Sequence, residues 1–140
     1  MGVRVIIQQY MLGDNLILTT METIKSYTDL QQSKKLANIL SLESADMYYD
    51  RYGTPSFIDK YVTHESIKND KYQHLIAAWS LAALLDILPE HNLQRTDWGN
   101  KTEYKIVVTT DEDNYASKNY DNPLDACYEM ILKLHELKIL

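Results

Sequence analysis

A chain of 140 residues with 45% apolar and 24% charged side chains has the make-up of one globular domain with a packed core, which excludes global disorder. Its net charge of −6 and its scattered basic residues, whose longest run is Lys34-Lys35, exclude binding driven by phosphate neutralisation, whether on nucleic acid or on an anionic membrane. The single cysteine, Cys127, excludes an intrachain disulfide. With no cleavable-leader or myristoylation pattern and no apolar run of the roughly 18–20 residues a span needs, a cytoplasmic setting is expected.

In chain order, residues 3–7 (VRVII) and 16–20 (LILTT) read as strands around the turn signal Gly13-Asp14-Asn15. Asp29 then reads as a helix N-cap, with Gln32 three residues on completing a capping box. That helix is expected over 29–40, burying Leu36, Ala37 and Leu40. Residues 45–52 (ADMYYDRY) alternate with period two, placing Ala45, Met47 and Tyr49 on one side and Asp46, Tyr48 and Asp50 on the other. Gly53-Thr54-Pro55 reads as a turn, residues 57–63 (FIDKYVT) as a returning strand, and residues 64–70 (HESIKND) as a loop.

Residues 74–89 (HLIAAWSLAALLDILP) are the most apolar passage. Two structural readings fit them. One is a continuous central helix over 71–88, favoured because Ala77-Ala78 suit a helix and nothing between 71 and 80 breaks one. The other starts a short helix at Ser80 as N-cap, with Trp79 stapled to Leu84. Pro89 ends the helix in either case, and residues 90–102 read as a linker too polar for core. Residues 103–110 (EYKIVVTT) are the clearest strand, 111–113 its turn, and 114–120 (NYASKNY) a weaker edge partner. The last helix, 122–138, has Asn122 at the N-cap, Pro123 at the first position and Asp125 at the third. Leu124, Cys127, Ile131, Leu134 and Leu137 mark its core face. Asp125, Glu129, Lys133 and Glu136 mark the wet one, with Glu129 and Lys133 spaced to pair. There is no internal repeat and no low-complexity segment.

No catalytic spacing survives a geometric check. His74, Ser80 and Asp86 are spaced like a nucleophilic set, but six helical residues per step rotate them by about 120° and separate them by about 9 Å, against a hydrogen-bond reach of about 3 Å. His64-Glu65 and His135-Glu136 begin zinc patterns whose second histidine positions hold Lys68 and Ile139. Asp111, Asp113 and Asn114 lack the glycine of a calcium loop. Cys127 falls on a core face, where a free thiol is a small apolar residue. No catalytic residue, metal ligand or cofactor is therefore assigned.

Eleven tyrosines against one phenylalanine suit a sheet with one wet face, or a tyrosine-rich binding surface. The order of helix, strands and C-terminal helix over 71–138 resembles that of double-stranded RNA binding domains. Those domains carry Lys or Arg where their last helix begins, whereas this chain has Asp121 and Asp125 there, which disfavours nucleic acid.

The strings DLQQSKKLANILSLESADMYY (29–49), AWSLAALLDILP (78–89) and DNPLDACYEMILKLHEL (121–137) resemble small proteins of gut Bacteroidetes and their phages or mobile elements. The likeness covers roughly residues 21–140. It implies a bacterial or phage-infected cytoplasm and an accessory role, and it brings no activity, cofactor or site residue. Residues 1–20 fall outside it, which makes them a candidate peripheral extension and Met21 a candidate natural start.

The expected fold is a single α+β domain, antiparallel strands packed against about three helices (29–40, 71–88 and 122–138), ending in a β-hairpin and a C-terminal amphipathic helix. The expected function is a non-enzymatic adaptor of a phage or mobile element, acting on a protein partner or by self-association through Tyr48, Tyr49, Tyr52 and Trp98. The rival is a small enzyme or ligand binder whose site joins distant residues; a deep pocket uniting two or more of His64, His74, His91, Asp46 and Glu43 would favour it.

Overall fold

The computed structural model describes residues 4–12, 15–71 and 74–140, with side chains from Ile24 onward. Strand β1 (Arg4–Leu12) pairs antiparallel with β2 (Asn15–Ile24) as a two-stranded sheet whose register breaks between Gln8 and Gln9. Both expected N-terminal strands are present and longer than expected. Val3 and the Gly13-Asp14 turn lie outside the described residues.

Helix α1 (Leu30–Ala37) begins where the capping box places it. Asp29 Oδ1 accepts the Gln32 N–H at 2.8 Å, and Gln32 Oε1 accepts the Asp29 N–H at 3.1 Å. The helix stops at Ala37, short of residue 40, and Ala37 is exposed; Ser33 and Leu36 are the residues it buries. After a short 3-10 turn (Leu42–Ser44), strand β3 (Met47–Tyr49) keeps the expected alternation, with Ala45, Met47 and Tyr49 all buried. Its partner β4 (Pro55–Phe57) returns two residues earlier than expected and ends at Phe57. Helix α2 (His64–Lys68) replaces the expected loop: Thr63 and Ser66 exchange a reciprocal capping box that a search for Glu or Gln at that position overlooks.

The central passage takes the second of its two readings. Strand β5 (Ile76–Ala78) pairs with β3, completing the sheet β4-β3-β5, and helix α3 (Leu81–Ile87) starts only at Ser80, whose hydroxyl accepts the Ala83 N–H. The continuous helix over 71–88 is not formed; Tyr72 and Gln73 of that span lie outside the described residues, and His74 has φ 53°. Tertiary bonds override the helix preference of Ala77-Ala78. The Trp79 N–H donates to Thr28 Oγ1 at 3.1 Å, the Thr28 N–H to the Trp79 carbonyl at 2.9 Å, and the Leu81 N–H to the Ser26 carbonyl at 2.8 Å. Residues 26–28 thus lie alongside 79–81 as a short extended pair, and an extended backbone at 76–79 is what that pairing requires. Trp79 and Leu84 are both fully buried in the same core cluster, consistent with the staple.

Residues 90–102 are not a linker. Strand β6 (His91–Trp98) pairs along its whole length with β7 (Lys101–Thr109), and β8 (Asn114–Ala116) completes the sheet β6-β7-β8. The strand escapes a search for apolar alternation because only Leu93 brings a large apolar group to its inner side, opposite Ile106. Beyond β8 the edge partner continues: the Ser117 hydroxyl accepts the Ile106 N–H at 3.0 Å, and Tyr104 and Tyr120 exchange two backbone bonds. Helix α4 (Pro123–Glu136) has the expected Asn122 cap and Pro123 at its first turn. It buries Leu124, Cys127, Ile131 and Leu134 as expected, and Ala126 and Met130 besides. Leu137, just past the last turn, is exposed instead. Glu129 and Lys133 do not pair with each other; Glu129 accepts the Lys118 N–H and Lys133 donates to the Ala116 carbonyl.

One core cluster joins Leu36, Ala45, Ile67, Trp79, Leu84, Ile106 and Val108 to the inner face of α4. The chain is an α+β fold of four helices and antiparallel sheets among its described residues. No helix among them is long and apolar enough to cross a membrane.

Candidate functional site

Two short turns present the most exposed tyrosines among the described residues, and they are built alike. In Asp50-Arg51-Tyr52, Asp50 Oδ1 accepts the N–H groups of Tyr52 at 2.8 Å and Thr54 at 3.0 Å. In Asp59-Lys60-Tyr61, Asp59 Oδ1 accepts those of Tyr61 at 2.8 Å and Val62 at 2.9 Å. These two bonds hold the Asp59 carboxyl below the usual carboxylate range. In both turns the aspartate fixes the backbone, the tyrosine ring stands out with 78% of its surface exposed, and the intervening cation lies over that ring. Arg51 is 5.1 Å from the Tyr52 ring centre and Lys60 5.1 Å from that of Tyr61. Gly53, at φ 77°, closes the first turn in a left-handed conformation that a side chain would strain. Phe57, in the strand between the two turns, is also exposed.

A second hairpin repeats the theme. Trp98 ends β6, Gly99 follows at φ 63°, and the indole is 65% exposed. Tyr52 and Trp98 therefore sit at hairpin bends and Tyr61 in the turn between β4 and α2, each exposed.

Of the four expected contact residues, Tyr52 and Trp98 are exposed. Tyr48 is half-buried and packs against the core. Tyr49 is buried, donates its hydroxyl to the Thr28 carbonyl at 2.7 Å, and meets Tyr27 edge-on at 6.4 Å. Burial, then the nearby Tyr27 and Asp29, push its hydroxyl up to about 12. Tyr61, Arg51 and Lys60 were not anticipated. The repeated Asp-cation-Tyr triplet, nine residues apart, was the available signal.

Two open grooves lie among the described residues. One, of about 660 Å³, lies between the N-terminal turns of α1 and α4 and is lined by Lys25, Asp29, Gln32, Tyr120, Asp125 and Tyr128 among others. Three of its charges, Lys25, Asp29 and Asp125, are committed to one another. Lys25 Nζ reaches Asp29 Oδ2 at 3.1 Å and Asp125 Oδ1 at 2.9 Å, and Asp125 also accepts from Gln32 Nε2 and Asn122 Nδ2, each at 2.9 Å. Burial alone would raise the Asp125 carboxyl, but the bonds from Asn122, Lys25 and Gln32 outweigh it and hold it below the usual range. Burial likewise works against the Lys25 ammonium, yet its two carboxylate partners lift it above the ordinary lysine value. Burial and the adjacent Glu129 push Tyr120 up to about 12. This cluster ties the helix starts together.

The other groove, of about 410 Å³, is lined by Glu43, His64, Glu65, Lys68 and Asn69. It unites two of the five residues named for the enzyme reading. The His64 ring nitrogen Nε2 is held by the Ala45 carbonyl at 2.6 Å. Asp46 is elsewhere, accepting both the N–H and the hydroxyl of Ser80. His91 Nδ1 contacts the Pro89 carbonyl at 2.9 Å, and His74 lies outside either lining. Ser80 is thus a helix cap bound to a carboxylate, with no histidine in its hydrogen bonds. Cys127 is fully buried, and burial pushes its thiol up to about 12. Among the described residues no three His, Cys, Asp or Glu side chains converge as a metal site requires.

No protein-family model matches this chain, and neither the curated proteins nor the solved structures yield a match.

Proposed function

We propose that the protein is a non-enzymatic adaptor that binds a protein partner through the exposed aromatics of its turns. The observation that carries this reading is the pair of Asp-cation-Tyr turns. Each spends an aspartate on fixing the backbone and leaves a tyrosine and a cation outward, with Trp98 on a second bend. Tyrosine, tryptophan and arginine are the side chains that dominate binding energy in protein interfaces, and rigid mounting lowers the entropy lost when they are covered. The partner chemistry that fits is an apolar pocket rimmed by carboxylates, which receives a ring and pairs with Arg51 or Lys60. The resemblance of three segments to small proteins of gut Bacteroidetes and their mobile elements supports a cytoplasmic, accessory setting for this role.

A ligand-binding reading ranks second, favoured by the shared groove of Glu43 and His64. Its polar, open lining is unlike the mostly apolar pockets that hold small molecules.

The test is affinity purification from the cells that produce the protein, comparing wild type with the Tyr52→Ala/Tyr61→Ala/Trp98→Ala variant. The reading expects a protein enriched by wild type and lost with the variant. Equal enrichment by both, or by neither, overturns it.

A further inference from the structure

We propose that β6 pairs with the β6 strand of a second copy of this chain, antiparallel and centred on Gln94, joining two three-stranded sheets into one. This goes beyond the partner-binding reading and does not depend on it.

Within the two three-stranded sheets the other edges are short or closed. β4 has three residues and begins with Pro55, which offers no N–H; β8 has three residues; β5 leads directly into the extended pair formed with residues 26–28. β6 is eight residues long, contains no proline, and pairs with β7 without a register break. Its hairpin has a two-residue loop, Gly99-Asn100, so Trp98 and Lys101 form the closing hydrogen-bonded pair. Every second residue of β6 back from Trp98 therefore bonds β7, and the Thr109 N–H donating to the Glu90 carbonyl at 2.9 Å confirms that phase. The intervening residues His91, Leu93, Arg95 and Asp97 turn their N–H and C=O groups away from β7. The backbone groups of Leu93, Arg95 and Asp97 find no hydrogen-bond partner among the described residues.

Self-pairing must match outward-facing residues to outward-facing residues and keep both inner faces on one side, which requires the two-fold axis to pass through a residue. Centres on Gln94 and Arg95 give the longest overlaps within the strand. Centring on Arg95 sets that guanidinium against its own copy. Centring on Gln94 instead sets His91 opposite Asp97 and Leu93 opposite Arg95, each twice, with no like charges across the seam. All four outward residues of each strand then meet outward residues of the other, which allows about eight ladder hydrogen bonds.

The experiment is sedimentation velocity of the full chain, with two variants. The proposal expects wild type to sediment as a dimer at tens of micromolar. Arg95→Pro removes one outward N–H without touching the β6–β7 ladder, and it is expected to weaken the dimer at least about tenfold. Gln94→Cys places a thiol on the two-fold axis, in a non-hydrogen-bonded pair whose separation suits a disulfide. It is expected to cross-link on oxidation, whereas Thr96→Cys, offset along the seam, is not. A monomeric wild type, or Gln94→Cys linking no faster than Thr96→Cys, overturns the proposal. The Tyr52→Ala/Tyr61→Ala variant is expected to remain dimeric, which separates this result from any loss of a partner.

Discussion

Replacing Thr28 by valine tests the junction that decides how residues 74–89 fold. Thr28 is fully buried; its hydroxyl accepts the Trp79 N–H at 3.1 Å and is bonded to Ser33 Oγ at 2.8 Å. Valine keeps the shape, so no cavity opens and the loss is purely that of hydrogen bonding. A buried backbone donor left without a partner costs about 1–3 kcal/mol, and loss of the hydroxyl pair adds to it. Some of this is offset because a methyl is easier to bury than a hydroxyl. The net expectation is about 2 kcal/mol, or about 6–10 °C in Tm for a domain of this size. Thr28→Ser keeps the hydroxyl and removes one methyl, for about 1 kcal/mol. Urea unfolding followed by far-UV circular dichroism gives both numbers, provided the slope with denaturant is unchanged. A valine variant within 0.5 kcal/mol of wild type, or one more stable than the serine variant, would refute the view that Thr28 holds Trp79 in an extended backbone.

Ser80→Ala removes the α3 cap and leaves Asp46 without its hydroxyl donor, for an expected loss of about 1–2 kcal/mol in the same unfolding assay. The Lys25–Asp125 contact has a definite pH signature. Asp125 sits below its unfolded value of about 3.9, so its contribution is present above that pH and fades as pH falls through the folded value. Lys25 sits above its unfolded value of about 10.4, so its contribution is present below that pH and fades as pH rises through the folded value. The Tm difference between wild type and Lys25→Met should therefore be flat from about pH 5 to 9 and shrink at both ends; a constant difference from pH 2 to 12 would contradict it. Cys127, buried and held as the thiol, should resist a thiol-specific chromogenic reagent until the protein unfolds; labelling at the rate of a free thiol would show the core face of α4 to be wrongly placed.

The parts of the fold legible in the sequence were those set by local chemistry. The caps at Asp29 and Asn122 and the alternation of Ala45, Met47 and Tyr49 depend on residues within a few positions of one another. The misread parts depend on partners far along the chain. Ala77-Ala78 are helix formers locally, yet β3 and residues 26–28 hold them extended. β6 is polar because its outer edge and one face are open, so no alternation announces it, and its strand state comes from β7. Glu129 and Lys133 have ideal spacing but find other partners, Lys133 at the end of β8 and Glu129 just after it. At the candidate site, Tyr52 and Trp98 were legible as large aromatics in segments expected to be partly exposed. Tyr49 was not, because its alternation with Met47 predicts burial and the tyrosine count alone does not say which rings stay outside. Tyr61 was hidden in a segment read as strand.

The most direct test of the adaptor reading is site-specific photo-crosslinking in the producing cells, with a benzophenone amino acid at position 52, 61 or 98 and, as control, at Lys133 on the exposed face of α4. The account predicts the same cross-linked partner protein from at least one of the three aromatic positions and none from position 133. Cross-links from position 133 alone, or equal and diffuse products from all four positions, would contradict it.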